Sequence, residues 1–91
     1  MAERTVTVAS RVGLHARPAK LFTQAASASG LAVTIAKGDG PPADAASILR
    51  VMALAVGHGE EVTIAAQGEG ADAVLDDLAR LLATDLDAEP S

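Results

Sequence analysis

The chain has 91 residues, a net charge of −5, 49% hydrophobic residues, no cysteine and a single aromatic residue, Phe22. This length fits one domain, which we expect to span residues 1–91 with a frayed tail over about 86–91. The composition excludes disulfides and thiolate metal sites and argues against a general nucleic-acid binder, because the chain is acidic and has no aromatic stacking platform. The segment MAERTVTVAS is unlike a signal peptide, and no apolar run approaches the roughly 20 residues of a membrane helix, so we expect a cytoplasmic protein without membrane insertion.

The first half of the chain predicts two strands around one helix. Residues 4–10 alternate between apolar and polar side chains, which is typical of a half-buried strand. Gly13 permits a tight turn after it. Residues 16–29 have helical periodicity, and Gly30 ends this helix. Residues 31–37 alternate again and predict the second strand.

The second half predicts a loop over 38–46 with a short edge strand after its prolines, a short helix, a strand and a long helix. Ser47 is the predicted N-cap of the short helix, and Gly57 its stop. Residues 60–67 alternate, and residues 70–86 have a broad apolar helical face. Because each strand has one solvent-exposed face, the order β-α-β-(β)-α-β-α predicts an α+β two-layer sandwich. We expect an antiparallel or mixed four-stranded sheet with three helices on one face.

The charge of the chain is distributed unevenly. Residues 1–38 contain five basic residues and one acidic residue, whereas residues 39–91 contain two basic and eleven acidic residues. Chance drift explains such a pattern in a short chain, but we favour a basic face for an anionic ligand or an acidic partner. The basic residues of that predicted face are Arg4, Arg11, Arg17, Lys20 and Lys37.

Residues 13–18, GLHARP, place a histidine at the start of the first helix. The free N–H groups and the dipole at a helix start favour anions and the neutral imidazole of His15, which is a nucleophile. If His15 accepted a phosphoryl group, Arg17 and the helix amides could bind its oxygens. Alternatively, His15 caps the helix and contacts only solvent. The residue pattern leaves both interpretations open.

Other chemistry lacks support in the sequence. No serine has the spacing of a catalytic triad, and the chain has no P-loop or dinucleotide motif. A metal site made by His15 with His58 has no further ligand spacing behind it. We therefore expect no metal and no cofactor.

The segment GLHARPA at 13–19 resembles the active-site signature of the HPr family, the histidine-containing phosphocarrier proteins of the bacterial sugar phosphotransferase system. The resemblance covers the whole chain, including the serine-led short helix, glycine turn, last strand and final helix of residues 47–82. It implies the family's βαββαβα open-faced sandwich and a phosphocarrier that is not itself an enzyme in the usual sense.

The resemblance also implies roles for individual residues. His15 would be phosphorylated on Nδ1 by enzyme I, with phosphoenolpyruvate as the donor, and would pass the group to the IIA component of a sugar permease. Arg17 and the N–H groups of Ala16 and Arg17 would bind the phosphoryl group. Ser47 aligns with a serine that an HPr kinase/phosphorylase modifies in some bacteria, although an N-cap role alone explains it.

In the family, partners dock on the first helix and on the short second helix. We expect a monomer in which Ile48 or Leu49, with Met52, forms a small exposed apolar patch. Two other functions stay open. One is a paralogue in a regulatory or dihydroxyacetone-type phosphorelay, and the other is a module that binds an anion without covalent chemistry. The predicted interface residues are Ala16, Lys20, Ile48, Leu49, Arg50 and Met52.

Overall fold

Seven elements follow one another along the parts of the chain that the computed structural model describes, residues 2–10, 13–14 and 16–84. Their order is βαββαβα, as predicted. The predicted site residue His15, the basic residue Arg11 and the predicted tail lie outside the described residues. The strands are β1 (Ala2–Thr7), β2 (Val33–Lys37), β3 (Ala43–Asp44) and β4 (Glu61–Ala66), and the helices are α1 (Ala16–Ala28), α2 (Ile48–Ala53) and α3 (Ala71–Leu82).

The four strands form one antiparallel sheet in the order β1-β4-β2-β3. The sequence left antiparallel and mixed sheets open, and all the neighbouring pairs are antiparallel. Ile64 of β4 lies between Arg4 of β1 and Ile35 of β2. Within the described residues, strand β3 pairs with β2 alone, through Thr34 and Asp44 among others. It is therefore the short edge strand that the prolines predicted.

The three helices pack against one face of this sheet and leave the other face open. The alternating side chains of β4 show the division: Val62 and Ile64 are fully buried, whereas the Thr63 hydroxyl lies 3.2 Å from that of Thr5 on the outer face. Burial of one large apolar side chain contributes about 1.5–3 kcal/mol to the free energy of unfolding. The largest buried side chains include Phe22 of α1, Leu75 and Leu78 of α3, and Ile35 of β2.

Helix α2 is shorter than predicted, because it ends at Ala53 and not near Gly57. Ala55 has a φ of 54°, in the left-handed region that non-glycine residues rarely adopt. Its carbonyl accepts a hydrogen bond from Lys37 Nζ at 3.0 Å, which helps to hold this conformation. Alanine favours helix, so the sequence contains no local signal for the early end. The other helices and β2 lie within the predicted ranges and are shorter by one to five residues.

Two of the five basic residues do not contribute to a basic face around GLHARP, and for them that prediction is wrong. Arg4 Nε donates to Asp76 of α3 at 2.9 Å, and its Nη2 donates to Asp72 at 3.2 Å. Both hydrogen bonds raise the pKa of Arg4, and the one with Asp76 has the larger effect. Lys37 Nζ lies 3.4 Å from Glu60 Oε1. The basic first half and the acidic second half of the chain are thus partly paired with each other.

Candidate functional site

The loop that joins β1 to α1, residues 8–15, is organised by the turn at Gly13. Gly13 has a φ of 71°, and its N–H donates to the Ser10 carbonyl at 3.0 Å. The next side chain, Leu14, is buried in the core and anchors the loop there. The tight turn that the sequence predicted at Gly13 is therefore confirmed.

Helix α1 begins at Ala16, directly after this loop. Pro18 is buried in the first turn of α1. Its missing N–H costs no hydrogen bond there, because an N–H in the first turn has no acceptor within the helix. Arg17 and Lys20 are exposed, and the first turn contains no acidic residue. The first N–H groups of any helix have no acceptor within the helix, and the dipole adds partial positive charge there. The start of α1 therefore has the electrostatics of an anion-binding site.

A second segment, residues 54–60, supports the β1–α1 loop, and we call it the supporting turn. Val56 O accepts a hydrogen bond from Leu14 N–H at 2.9 Å, and Gly59 N–H donates to Val8 O at 2.9 Å. His58 Nδ1 lies 3.2 Å from the Ser10 carbonyl oxygen, in the same region. The sequence does not predict these contacts, because they join residues more than 40 positions apart and carry no local pattern.

Gly13 also packs directly against the supporting turn. A Cβ at this position would lie 2.2 Å from the Val56 carbonyl oxygen and 2.7 Å from Gly57 Cα. Both neighbours are backbone atoms, which cannot rotate away as a side chain can. Gly13 therefore serves two purposes, the left-handed turn and the close approach of two chain segments.

A carboxylate fixes the supporting turn from within. Glu60 Oε1 accepts a hydrogen bond from Gly57 N–H at 2.6 Å and lies 3.4 Å from Lys37 Nζ. The pKa of Glu60 lies below its ordinary value of 4.5. The hydrogen bond from Gly57 is the main cause, and Lys37 lowers the pKa further. The charged form of Glu60 is thus favoured by folding, and this form stabilises the turn.

We expect the stabilisation by Glu60 to be lost in acid. Because its pKa is lower in the folded state, the contribution is complete above pH 4.5 and disappears as the pH falls through the folded-state pKa. Glu60→Gln should therefore have a lower melting temperature than the parent chain at pH 7, and the difference should be smaller at pH 3. Glu69→Gln, at an exposed carboxylate before α3, controls for the loss of one charge. A Glu60→Gln difference that is equally large at both pH values would contradict the prediction.

Helix α2 exposes the apolar residues that the sequence analysis placed in a docking patch. Leu49 is 79% exposed and Ile48 is 38% exposed. Met52 is half-buried and packs against the core, so it forms the inner border of the patch. Arg50 is exposed beside it. Ile48 or Leu49 was expected to be exposed together with Met52; both Ile48 and Leu49 are exposed, whereas Met52 is more buried than expected. The role of these residues in docking stays a prediction.

Ser47 is the N-cap of α2, as predicted. Its Oγ accepts a hydrogen bond from Arg50 N–H at 3.4 Å, and its backbone is extended, with a φ of −102°. Its carbonyl accepts from Val51 N–H at 3.0 Å. The capping role of Ser47 is therefore confirmed independently of any modification.

The described residues contain no cluster of three or more histidine, aspartate or glutamate side chains that could hold a metal ion. Within the same residues, no helix combines the length and apolar character needed to cross a bilayer. A surface cleft of about 640 Å³ has none of the predicted site residues in its lining, which consists of Thr7, Lys37, Gly38, Gly59, Glu60 and Glu61.

Comparisons with known proteins agree with this fold and with the resemblance of the GLHARPA segment. Residues 2–84 match the PTS-HPr family, described as "PTS HPr component phosphorylation site". Phosphocarrier protein HPr of Streptomyces coelicolor is 52% identical over 90 residues, which cover 99% of this chain and 97% of that protein. Phosphocarrier protein HPr of Haloferax volcanii is 45% identical over 83 residues, covering 90% of this chain and 93% of that protein.

Solved structures lead to the same family. The crystal structure of a phosphocarrier protein HPr from Bacillus anthracis superposes with a TM-score of 0.84 at 38% identity, and the match covers 89% of this chain and 95% of that one. An HPr structure from Thermoanaerobacter tengcongensis gives a TM-score of 0.79 at 34% identity, covering 94% of this chain and all of that chain. The chain therefore belongs to the HPr family of phosphocarrier proteins of the phosphotransferase system.

Proposed function

We propose that this chain carries a phosphoryl group on His15, which it receives from enzyme I with phosphoenolpyruvate as the original donor and passes to the IIA component of a sugar permease. It acts as a cytoplasmic monomer and as a carrier, not as an enzyme with a substrate of its own. The main support is the start of α1. The residue directly before this helix is a histidine, Arg17 lies in its first turn, and no acidic residue occurs between Arg4 and Lys37.

The chemistry requires a neutral imidazole and an anion-binding environment. The lone pair of His15 Nδ1 attacks phosphorus, the bond between phosphorus and its donor atom on enzyme I breaks with its electron pair leaving on that atom, and a new N–P bond forms. The product carries additional negative charge, which the first-turn N–H groups of Ala16 and Arg17 and the Arg17 guanidinium stabilise. In transfer to IIA, the same steps run with His15 as the leaving group. The positive end of α1 favours both the neutral ring and the phosphorylated product.

Docking would use the start of α1 and the exposed side of α2. Ile48, Leu49 and the border residue Met52 supply apolar area, and Lys20 and Arg50 supply positive charge for acidic partners. A flexible methionine suits a surface that must fit several partners in turn. This surface lies on the same two helices whose mutual packing the core fixes.

The exposed side chain of Leu49 gives a test of docking. We expect Leu49→Asp to raise the KM for enzyme I about tenfold or more, because it removes apolar contact and adds negative charge against an acidic partner. The free energy of unfolding should change little, since this side chain is 79% exposed. Steady-state transfer kinetics measure the effect. Ala73→Asp, at an exposed position of α3, places the same charge outside the proposed surface, and an equal rise in KM there would show that net charge alone matters.

We also propose Ser47 as a site of regulatory phosphorylation by an HPr kinase/phosphorylase. A phosphate at this N-cap would lie next to Ile48 and Leu49 and would repel acidic partners from the docking surface. It would not unfold α2, because negative charge at a helix start is favourable. Mass spectrometry of the chain isolated from cells grown on a preferred sugar would detect this modification.

One labelling experiment separates the carrier from its two alternatives. The chain is incubated with enzyme I and ³²P-phosphoenolpyruvate, and the product is treated with acid and base. The carrier predicts a covalent label that is acid-labile, base-stable and transferable to a IIA domain. No label with a competent enzyme I would contradict the proposal and favour a module that binds anions non-covalently. A label that moves to no IIA domain would favour a regulatory or dihydroxyacetone-type phosphorelay.

A further inference from the structure

His58 in the supporting turn contacts a carbonyl group of the loop that precedes His15. Its Nδ1 lies 3.2 Å from the Ser10 carbonyl oxygen, 48 positions away in the chain. A carbonyl oxygen can only accept a hydrogen bond, so this contact requires a proton on Nδ1. Both the cationic ring and the neutral Nδ1–H tautomer meet this requirement. The contact therefore needs a proton on Nδ1 and not a charge on the ring.

The Ser10 carbonyl is also the acceptor that closes the turn at Gly13. Gly13 N–H donates to it at 3.0 Å, and His58 Nδ1–H donates to it at 3.2 Å. The two lone pairs of one carbonyl oxygen allow both bonds. Ser10 itself is 2% exposed, so its backbone is held inside the protein. His58 thus acts on the same turn that leads to position 15.

The supporting turn joins this loop to the proposed docking helix. It begins at Leu54, the C-cap of α2, and its backbone also bonds Leu14 N–H and Val8 O. These backbone bonds fix the two ends of the loop. The His58 side chain contacts the loop between these two ends, at Ser10, and it can be replaced without changing the backbone of either segment.

We propose that His58 is a positioning residue for phosphoryl transfer: through Ser10 it holds the turn at Gly13, and with it the start of α1, relative to the docking surface of α2. This inference rests on the proposed function. It predicts different effects of His58 on partner binding and on the rate of transfer. A partner that docks on α2 binds equally well without His58, but the start of α1, which binds the phosphoryl group, is then less well placed for transfer. Small displacements of reacting groups lower rates by factors of up to about 100, so the effect falls on kcat and not on KM.

A pair of substitutions tests this proposal. Asparagine places its amide nitrogen two bonds beyond Cβ, as histidine places Nδ1, and can donate to Ser10. Leucine has a similar branched shape without a donor. We expect His58→Leu to lower kcat for transfer from phosphorylated enzyme I about three- to tenfold with unchanged KM, and His58→Asn to restore kcat to within about twofold.

The tautomer of His58 provides a second, independent measurement. Long-range ¹H–¹⁵N correlation spectra of the neutral ring should show Nδ1 protonated and Nε2 unprotonated. The opposite tautomer would overturn the proposal, because Nδ1 could not then donate to Ser10. Equal kcat values for His58→Leu and the parent chain would overturn it as well, as would a raised KM with unchanged kcat, which would indicate direct contact with the partner. A parent chain that enzyme I does not label would instead overturn the proposed function, and the transfer role of His58 with it.

Discussion

His15→Gln is expected to abolish labelling by enzyme I, whereas His58→Gln should leave the end-point label in place. The chain contains two histidines, so this pair of variants assigns an acid-labile, base-stable label to one of them. Glutamine keeps polarity and approximate size but lacks a ring nitrogen that can attack phosphorus. His58 lies in the supporting turn with Nδ1 bound to Ser10, and we assign it a part in the rate of transfer but none in carrying the group.

The measurement is the amount of ³²P bound per chain after extended incubation, with the folded state of each variant checked by thermal denaturation. The expected difference is between one phosphoryl group per chain and none. A label that survives in His15→Gln would contradict the assignment of His15. Loss of the label in His58→Gln, with His15 intact, would mean that His58 carries the group or is required for its transfer.

Gly13→Ala is expected to cause the largest loss of stability, about 3 kcal/mol or more in the free energy of unfolding. A left-handed conformation costs a non-glycine residue about 1–2 kcal/mol. The added methyl group would also lie 2.2 Å from the Val56 carbonyl oxygen, so the two backbone segments must separate, and overpacking of this kind costs about 1–3 kcal/mol more. Since a small domain has only about 5–15 kcal/mol in total, the loss is severe.

Gly30→Ala is the matched control for this change. Gly30 has a similar φ, 76°, but a Cβ there would meet nothing within 4 Å. We expect it to lose only the backbone contribution, about 1–2 kcal/mol. Urea denaturation of both variants gives the comparison. Equal losses would show that the approach of Gly13 to Val56 does not matter, and that only its dihedral angle does.

The sequence predicted the elements of the fold well because their signals are local. Alternation identified the strands, the apolar stripe identified α1, and Ser47 marked the start of α2. The exposure of Ile48 or Leu49 was predicted because two apolar helices in a small domain cannot both bury every face, and both residues are exposed. Each of these inferences uses residues within one element, where periodicity and capping are physically determined.

The contacts around the candidate site were not predictable in the same way. The bonds between the β1–α1 loop and the supporting turn join positions that are distant in sequence, and they depend on how the sheet and helices pack. The pairing of Arg4 with Asp72 and Asp76 is of the same kind, and it removed Arg4 from the predicted basic face. Helix α2 ends early, at Ala53, and the carbonyl of Ala55 just beyond it accepts a hydrogen bond from a lysine of β2.

The antiparallel pairing of β1 with β4 has a consequence for biosynthesis. Thr7, at the end of β1, pairs with Glu61, so the first strand enters the sheet only after two thirds of the chain has been made. A newly made N-terminal half on the ribosome has the GLHARP segment but neither β4 nor the turn that supports it. Folding of such long-range pairings is slow compared with helix formation. We therefore expect the nascent chain to become competent for phosphorylation late, when the last strand and helix have left the ribosome.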